Sequence, residues 1–185
     1  KSDYNDQMLL HKPLGAYYGS YRAMSEAYKE GKLRAIGVSN FYPDRLIDIC
    51  QFQEVVPSIN QVETHPFNQQ IEANKIMKKY GVQIMSWGPF AEGKNNIFGN
   101  EVLNEIGAKY GKSAAQVILR FLIQSDVVVI PKSTHKERME ENFNVFDFEL
   151  SDEDMSRITA LDGGESLFFS HYDPNTVEFL TGLAK

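Results

Sequence analysis

The sequence predicts an α/β fold built on a parallel sheet. Three observations carry that expectation. Five short β-rich runs are nearly continuous in apolar character, which suits strands covered on both faces. Helical patterns lie between them. The units recur at roughly 25-residue spacing, the signature of βαβ repeats.

The elements follow in order. Residues 7–11 (QMLLH) form the first run. A helix over 19–30 puts Tyr21, Met24, Ala27 and Tyr28 on one face, with Gly31 as its stop signal. The second run is 33–39 (LRAIGVS). Pro43 opens a helix over 43–51 that gathers Leu46, Ile47 and Cys50. The third run, 58–63 (SINQVE), precedes a helix over 71–80 that stops at Gly81. The fourth, 82–87 (VQIMSW), leads into a loop over 92–99 (EGKNNIFG). Helices are expected over 100–110, ending at Gly111, and over 112–124, with Ala115, Ile118, Leu119 and Leu122 on one face. The fifth run, 126–130 (DVVVI), is followed by helices over 134–143 and 151–161. The tail, 163–185, carries Phe168, Phe169, Tyr172 and Phe179 without a period and reads as a segment lying across a surface. With no close repeat and no low-complexity stretch, residues 1–185 read as a single domain.

Five βα units do not close a barrel, and an eight-unit α/β barrel takes about 250 residues. The chain is then either an open five-stranded sheet or a barrel whose front three or so units are absent from the sequence. An open sheet would expose apolar edges at 7–11 and 126–130, an aggregation hazard. The second alternative is therefore expected.

Composition narrows the function. At 185 residues the chain can bury roughly 70% of its unfolded surface, enough for a core without staples. Apolar residues make up 42% and charged residues 24%, as in ordinary globular domains. The formal charge of -6 weighs against nucleic-acid binding. Cys50 is the only cysteine, so no internal disulfide forms and a reducing compartment fits; on the apolar face of its helix it reads as a buried thiol. No apolar run approaches the roughly 20 residues of a membrane span, and residues 1–6 lack a signal-peptide core. A cytoplasmic protein with no membrane or nucleic-acid partner is expected. Oligomeric state is left open, a monomer being compatible.

Polar and aromatic residues close the runs: His11; Ser39 and Asn40; Gln61 and Glu63; Trp87; and, just past the fifth, Lys132 and Ser133. Parallel α/β folds bind ligands at the carboxyl ends of their strands. Each residue alone could cap a turn or satisfy a core, but their coincidence points to a shared rim. The cluster 131–138 (PKSTHKER) adds to this. Thr134 and Glu137 have capping-box spacing, so a helix should start there, and free N–H groups at a helix start bind anions. Lys132 and Arg138 add positive charge suited to phosphate. The alternative is a solvated helix start whose cations pair with Glu137, Glu140 or Glu141. No glycine-rich dinucleotide fingerprint, Walker loop or nucleophile elbow is present. The four histidines, His11, His65, His135 and His171, lack metal-ligand spacing, so no metal is expected.

Four motifs then match one family. They are Asp6-x-x-Leu9-Leu10-His11-x-Pro13; residues 31–41 (GKLRAIGVSNF); Asn60-Gln61-Val62-Glu63-x-His65-Pro66; and Ile130-Pro131-Lys132-Ser133 with Arg138 and Glu141-Asn142-Phe143. From Asp3 to about Pro174 the chain resembles the aldo-keto reductases, NADPH-dependent carbonyl reductases with a (β/α)8 TIM-barrel fold. It looks most like the bacterial and protozoal diketogluconate reductase or prostaglandin F synthase type. The resemblance covers roughly the C-terminal five βα units.

The resemblance implies roles. His11 is the expected active-site histidine, hydrogen-bonding the substrate carbonyl oxygen. Ser39, Asn40 and Gln61 would bind the nicotinamide carboxamide, and Trp87, where a Tyr is usual, would stack on its ring. Gly88 and Phe90 belong to the segment passing the pyrophosphate, with Glu92 where Ser or Gly is more usual. Lys132, Ser133 and Arg138 would hold the 2′-phosphate, favouring NADPH over NADH, and Glu141 and Asn142 would contact adenine. His135 replaces a residue often smaller in the family. The dinucleotide would stretch from Gln61 to Arg138.

The family's Tyr, Asp and Lys catalytic residues have no counterparts here; Tyr4, Tyr17 and Tyr18 lie outside the relevant motif and read as packing or loop aromatics. The implied function is reduction of an aldehyde or ketone by hydride transfer from NADP(H), with a small carbonyl substrate as partner. The alternatives are an NADPH-binding regulatory or scaffold protein on the same fold and an inactive fragment lacking the catalytic Tyr.

Overall fold

Five parallel strands appear in sequence order in the computed structural model, which describes residues 4–183. Residues 1–3 and 184–185, which belong to the expected single domain and to the start of the matched region at Asp3, lie outside the described residues.

The strands are β1 (Met8–Leu10), β2 (Ile36–Ser39), β3 (Ile59–Glu63), β4 (Gln83–Trp87) and β5 (Val128–Val129). β1 pairs parallel with β2, setting Leu10 opposite Val38, and β2 pairs with β3, setting Ser39 opposite Gln61. β4 pairs with β5 through Met85 and Val128. The helices are α1 (Tyr17–Lys29), α2 (Pro43–Phe52), α3 (Ile71–Lys79), α4 (Glu101–Tyr110), α5 (Ala114–Gln124), α6 (Lys136–Phe143), α7 (Asp152–Thr159) and α8 (Pro174–Gly182).

The described residues divide between two compact units. One gathers those within Lys1–Val62, Ile71–Ile84 and Phe168–Lys185; the other gathers Glu63–Gln70 and Met85–Leu167. The core of the first is Ile36 and Val38 on β2, Leu46 and Ile49 on α2, and Tyr21 on α1, all buried. The second is built around α5, whose Val117, Ile118, Leu119 and Leu122 are buried among Leu103 and Ile106 of α4 and Ile158 of α7. Each such Leu or Ile contributes about 1.5–3 kcal/mol by leaving water.

Glycine is required at two of these places. A Cβ on Gly37 would stand 2.7 Å from the Ile59 carbonyl oxygen, and one on Gly107 would stand 2.4 Å from that of Lys112. Neither approach is one that a real Cβ makes.

Several expectations need correction. The buried face of α1 is Tyr21, Met24 and Ser25, and Tyr28 is exposed. Ile49 rather than Ile47 completes the buried face of α2. The 92–99 loop belongs to a 3-10 segment, Ala91–Gly99, broken by left-handed residues at Glu92, Gly93, Asn95 and Asn96. The second run is shortened because Leu33 makes only an isolated bridge to Asn5. The fifth is shortened because Asp126 adopts φ 62° in the turn after α5. The tail contains a helix, α8, capped by the Asp173 side chain on the Asn175 N–H with Pro174 in its first turn; it buries no residue, so no apolar period marks it. Cys50 is buried as expected. Among the described residues no helix is long and apolar enough to cross a membrane, and no group of His, Cys, Asp and Glu could hold a metal ion.

Candidate active site and cofactor-binding residues

In the first unit the chain turns sharply at the end of β2. Ser39 is buried, and its hydroxyl donates to the Gln61 carbonyl at 2.9 Å. Asn40 follows at φ 58°, a left-handed conformation that Asn tolerates better than most residues. Its backbone N–H donates to the same Gln61 carbonyl at 2.9 Å. Its side-chain amide donates to Ser39 Oγ at 3.1 Å and to the His11 carbonyl at 3.5 Å. The ends of β1, β2 and β3 are thereby tied together, and His11, Ser39, Asn40 and Gln61 fall in one neighbourhood. His11 lies directly beyond β1 with its side chain exposed.

In the second unit, Trp87 ends β4 half-buried, and Gly88 turns the chain with φ 65°. Beyond them opens a cavity of about 620 Å³. Its walls include Phe90, Lys132, Ser133, Arg138, Glu141 and Asn142 from the expected set. Trp87 and Gly88 are not among its lining residues. The walls also include Glu92 and His135, two of the positions that depart from the family pattern, together with Thr134.

The helix start differs from expectation. α6 begins at Lys136 with His135 as its N-cap, and no side chain caps it. Thr134 does not act as a cap, because Ser133 organises the turn: its Oγ accepts from the His135 N–H at 3.1 Å and donates to the His135 carbonyl at 3.3 Å. The alternative of cations neutralised by neighbouring glutamates does not hold either. Lys136 takes Glu140 at 3.5 Å, and Glu141 accepts a short hydrogen bond from the Ser113 hydroxyl. Lys132 and Arg138 form no ion pair among the described residues. Two unpaired cations, a hydroxyl and an uncapped helix start therefore face one cavity, a donor set that fits a phosphate.

Lining residues missed from sequence include Asn104, Ser113 and Ala114. Ser113 had a legible signal, since Ser113-x-x-Gln116 is a capping box and both of its reciprocal hydrogen bonds are present. Glu63, expected on the binding rim, is instead a buried structural carboxylate. It meets His65 Nε2 at 3.0 Å, accepts from the Leu167 N–H at 2.9 Å, and takes the Ser166 hydroxyl. Burial alone would raise its pKa, but those hydrogen bonds hold it below the usual value.

The model of the aldo/keto reductase family matches residues 1–163, and the chain belongs to that family. It is 44% identical over 179 residues to glyoxal reductase of Bacillus subtilis, covering 96% of this chain and 62% of that protein. Among solved structures, an aldo-keto reductase from a deep-sea metagenome library superposes with a TM-score of 0.88 at 37% identity, over 91% of this chain and 63% of that one. A Bombyx mori aldo-keto reductase solved in complex with NADP gives 0.82 at 29% identity, over 88% and 59%. The fold is that of a (β/α)8 barrel, with five parallel strands that match a C-terminal portion of it. The chain spans about three fifths of the length of these relatives.

Proposed function

We propose that the protein is an NADPH-dependent oxidoreductase that reduces a small aldehyde or ketone to an alcohol. The observation that carries this reading is the 620 Å³ cavity in which Lys132, Ser133 and Arg138 converge, with both cations unpaired. A 2′-phosphate on the adenosine ribose would meet the Lys132 ammonium, the Ser133 hydroxyl and the Arg138 guanidinium. Asn142 and Glu141 would meet the adenine edge, with Glu141 already oriented by Ser113. Phe90, on the wall of the same cavity, would flank the passing pyrophosphate.

In the other unit, Ser39, Asn40 and Gln61 would present hydrogen-bonding groups to the nicotinamide carboxamide. His11 would donate an imidazole N–H to the substrate carbonyl oxygen, fixing its orientation and polarising the carbon. When bound, the cofactor would supply the hydride, and the proton that completes the alcohol would come from the family's Tyr, which has no counterpart among these residues. Support for the reductase reading over a purely regulatory binder comes from His11, which a binder of the dinucleotide does not need. A reducing, cytoplasmic setting is part of the same proposal, supported by the single buried Cys50.

One experiment tests the proposal: NADPH fluorescence on titration with this chain and with a version carrying the front three βα units, followed by NADPH oxidation with butanal. Binding with turnover supports the reductase. Binding without turnover by the longer version supports the regulatory alternative, and absence of binding by this chain supports the inactive fragment.

A further inference from the structure

The capping box at the start of α5 reaches beyond its own helix. Ser113 Oγ accepts from the Gln116 N–H at 3.3 Å, and Gln116 Oε1 accepts from the Ser113 N–H at 3.1 Å. Those two bonds answer free donors at a helix start. The same side chains make further bonds that no cap requires. The Ser113 hydroxyl donates to Glu141 Oε1 on α6. Gln116 Nε2 donates to the Glu141 carbonyl at 3.2 Å and to the Asn144 carbonyl at 2.9 Å. Glu141 is therefore held twice, through its side chain and through its backbone.

The hold has a direction. A serine hydroxyl carries one proton, and here that proton goes to the carboxylate. Glu141 Oε2 takes no hydrogen bond among the described residues. Glu141 is half-buried and lines the 620 Å³ cavity with Asn142, Lys132 and Arg138, so Oε2 is the oxygen it can offer to a ligand there. A carboxylate can only accept. The amide of Asn142 carries an acceptor and donors, and serves either kind of partner by turning over. A purine with a 6-amino group presents a donor at that edge, and one with a 6-oxo group presents an acceptor. Of the two residues, Glu141 alone can tell them apart.

We propose that Ser113 is a positioning residue that selects the base of the bound dinucleotide, by fixing Glu141 as an acceptor for a 6-amino purine and against a 6-oxo purine. The inference rests on the reading that this cavity holds an adenosine 2′-phosphate. With that phosphate at Lys132 and Arg138, the base has little room to slide and present its N1–H instead. A 6-oxo group would then set two acceptors face to face, which costs more than a missing bond. A loose Glu141 could swing away from such a base and reduce the penalty to the loss of one bond. The Ser113 hydroxyl removes that escape.

The test measures binding of adenosine 2′,5′-bisphosphate and inosine 2′,5′-bisphosphate to the full chain by calorimetry. The parent should prefer the adenosine compound about tenfold or more, the scale of a hydrogen bond to a charged group. Ser113→Gly removes the hydroxyl and leaves a residue that helix starts accept, so the denaturation midpoint should hold. In that variant the preference should fall to about threefold, and Ser113→Thr should restore it. Glu141→Gln supplies an independent arm. With Ser113 present, its hydroxyl holds the amide oxygen and turns the amide N–H groups to the base, so the preference should invert towards inosine. In the Ser113→Gly, Glu141→Gln double variant the amide turns freely, and neither base should be favoured.

A merely structural Ser113 would weaken both ligands alike and leave each ratio unchanged. That result overturns the proposal, as does equal binding of the two compounds by the parent. Equal, measurable binding refutes base selection alone and leaves the phosphate cavity standing. Binding of neither compound refutes both this inference and the functional reading on which it rests.

Discussion

Arg138→Ala should separate NADPH from NADH. Arg138 is the third residue of α6, exposed, on the wall of the larger cavity, and outside any ion pair among the described residues. A cation in the first turn of a helix opposes the macrodipole at a cost of about 0.3–1 kcal/mol. Replacing it with Ala, the best helix former, should leave folding stability within about 0.5 kcal/mol. The loss on binding is of another size. Charge-assisted hydrogen bonds contribute about 1.5–3 kcal/mol, so NADPH affinity should fall about 10–100-fold, towards the lower figure because the site is open to solvent. NADH has no 2′-phosphate and should change less than about twofold, far below the 1.4 kcal/mol that separates tenfold steps. Fluorescence titration with both dinucleotides at two salt concentrations measures this. The NADPH loss should shrink at about 1 M salt, where the screening length is about 3 Å. Equal losses for the two dinucleotides would refute the assignment of this cluster to a phosphate.

Other expectations follow from the same structure. In a version that also carries the front three βα units with the family's Tyr, Asp and Lys, His11→Ala should lower kcat/KM for butanal at least about 10²-fold, the scale of removing one donor from a developing oxyanion, with NADPH affinity nearly unchanged; steady-state kinetics with parallel titration checks it. Asp154 is buried and accepts from Lys109 and Tyr110 Oη at 2.6 Å each and from Ser151 Oγ at 2.7 Å. Burial alone would raise its pKa, yet those bonds bring it from 3.8 down to about 2. Because the folded value is the lower one, its stabilisation is complete above about pH 4 and is lost as pH falls towards 2. Asp154→Asn should therefore cost about 2–3 kcal/mol at pH 7 in urea unfolding, and the difference from the parent should narrow over that acid window. Gly107→Ala gains about 1 kcal/mol of helix propensity but forces a Cβ to 2.4 Å from the Lys112 carbonyl oxygen; a net loss of about 1–3 kcal/mol is expected, read as a lower denaturation midpoint.

The barrel strands were legible because parallel strands buried on both faces leave short continuous apolar runs, as 82–87 does for β4. Their exact ends were not, because tertiary pairing decides them: Leu33 bridges Asn5 outside the strand, and Asp126 is spent on a turn. α8 escaped detection because its faces are exposed, although Asp173-Pro174 is a start signal. The cation cluster was legible because its members are contiguous. The Glu63 role was hidden, since its partner Ser166 is 103 residues away.

Asn40 carries two demands at once. The bend at φ 58° asks for a residue at ease with that twist, and the bonds to Ser39 Oγ and the His11 carbonyl ask for an amide on a one-carbon stem. Glycine would satisfy the bend and abandon the knot between strand ends. Glutamine would keep the amide but place it one methylene too far and resist the twist. Aspartate would meet both oxygens with a group that repels them. The position should therefore admit almost no replacement, and a library randomised there should return asparagine even under selection for folding alone.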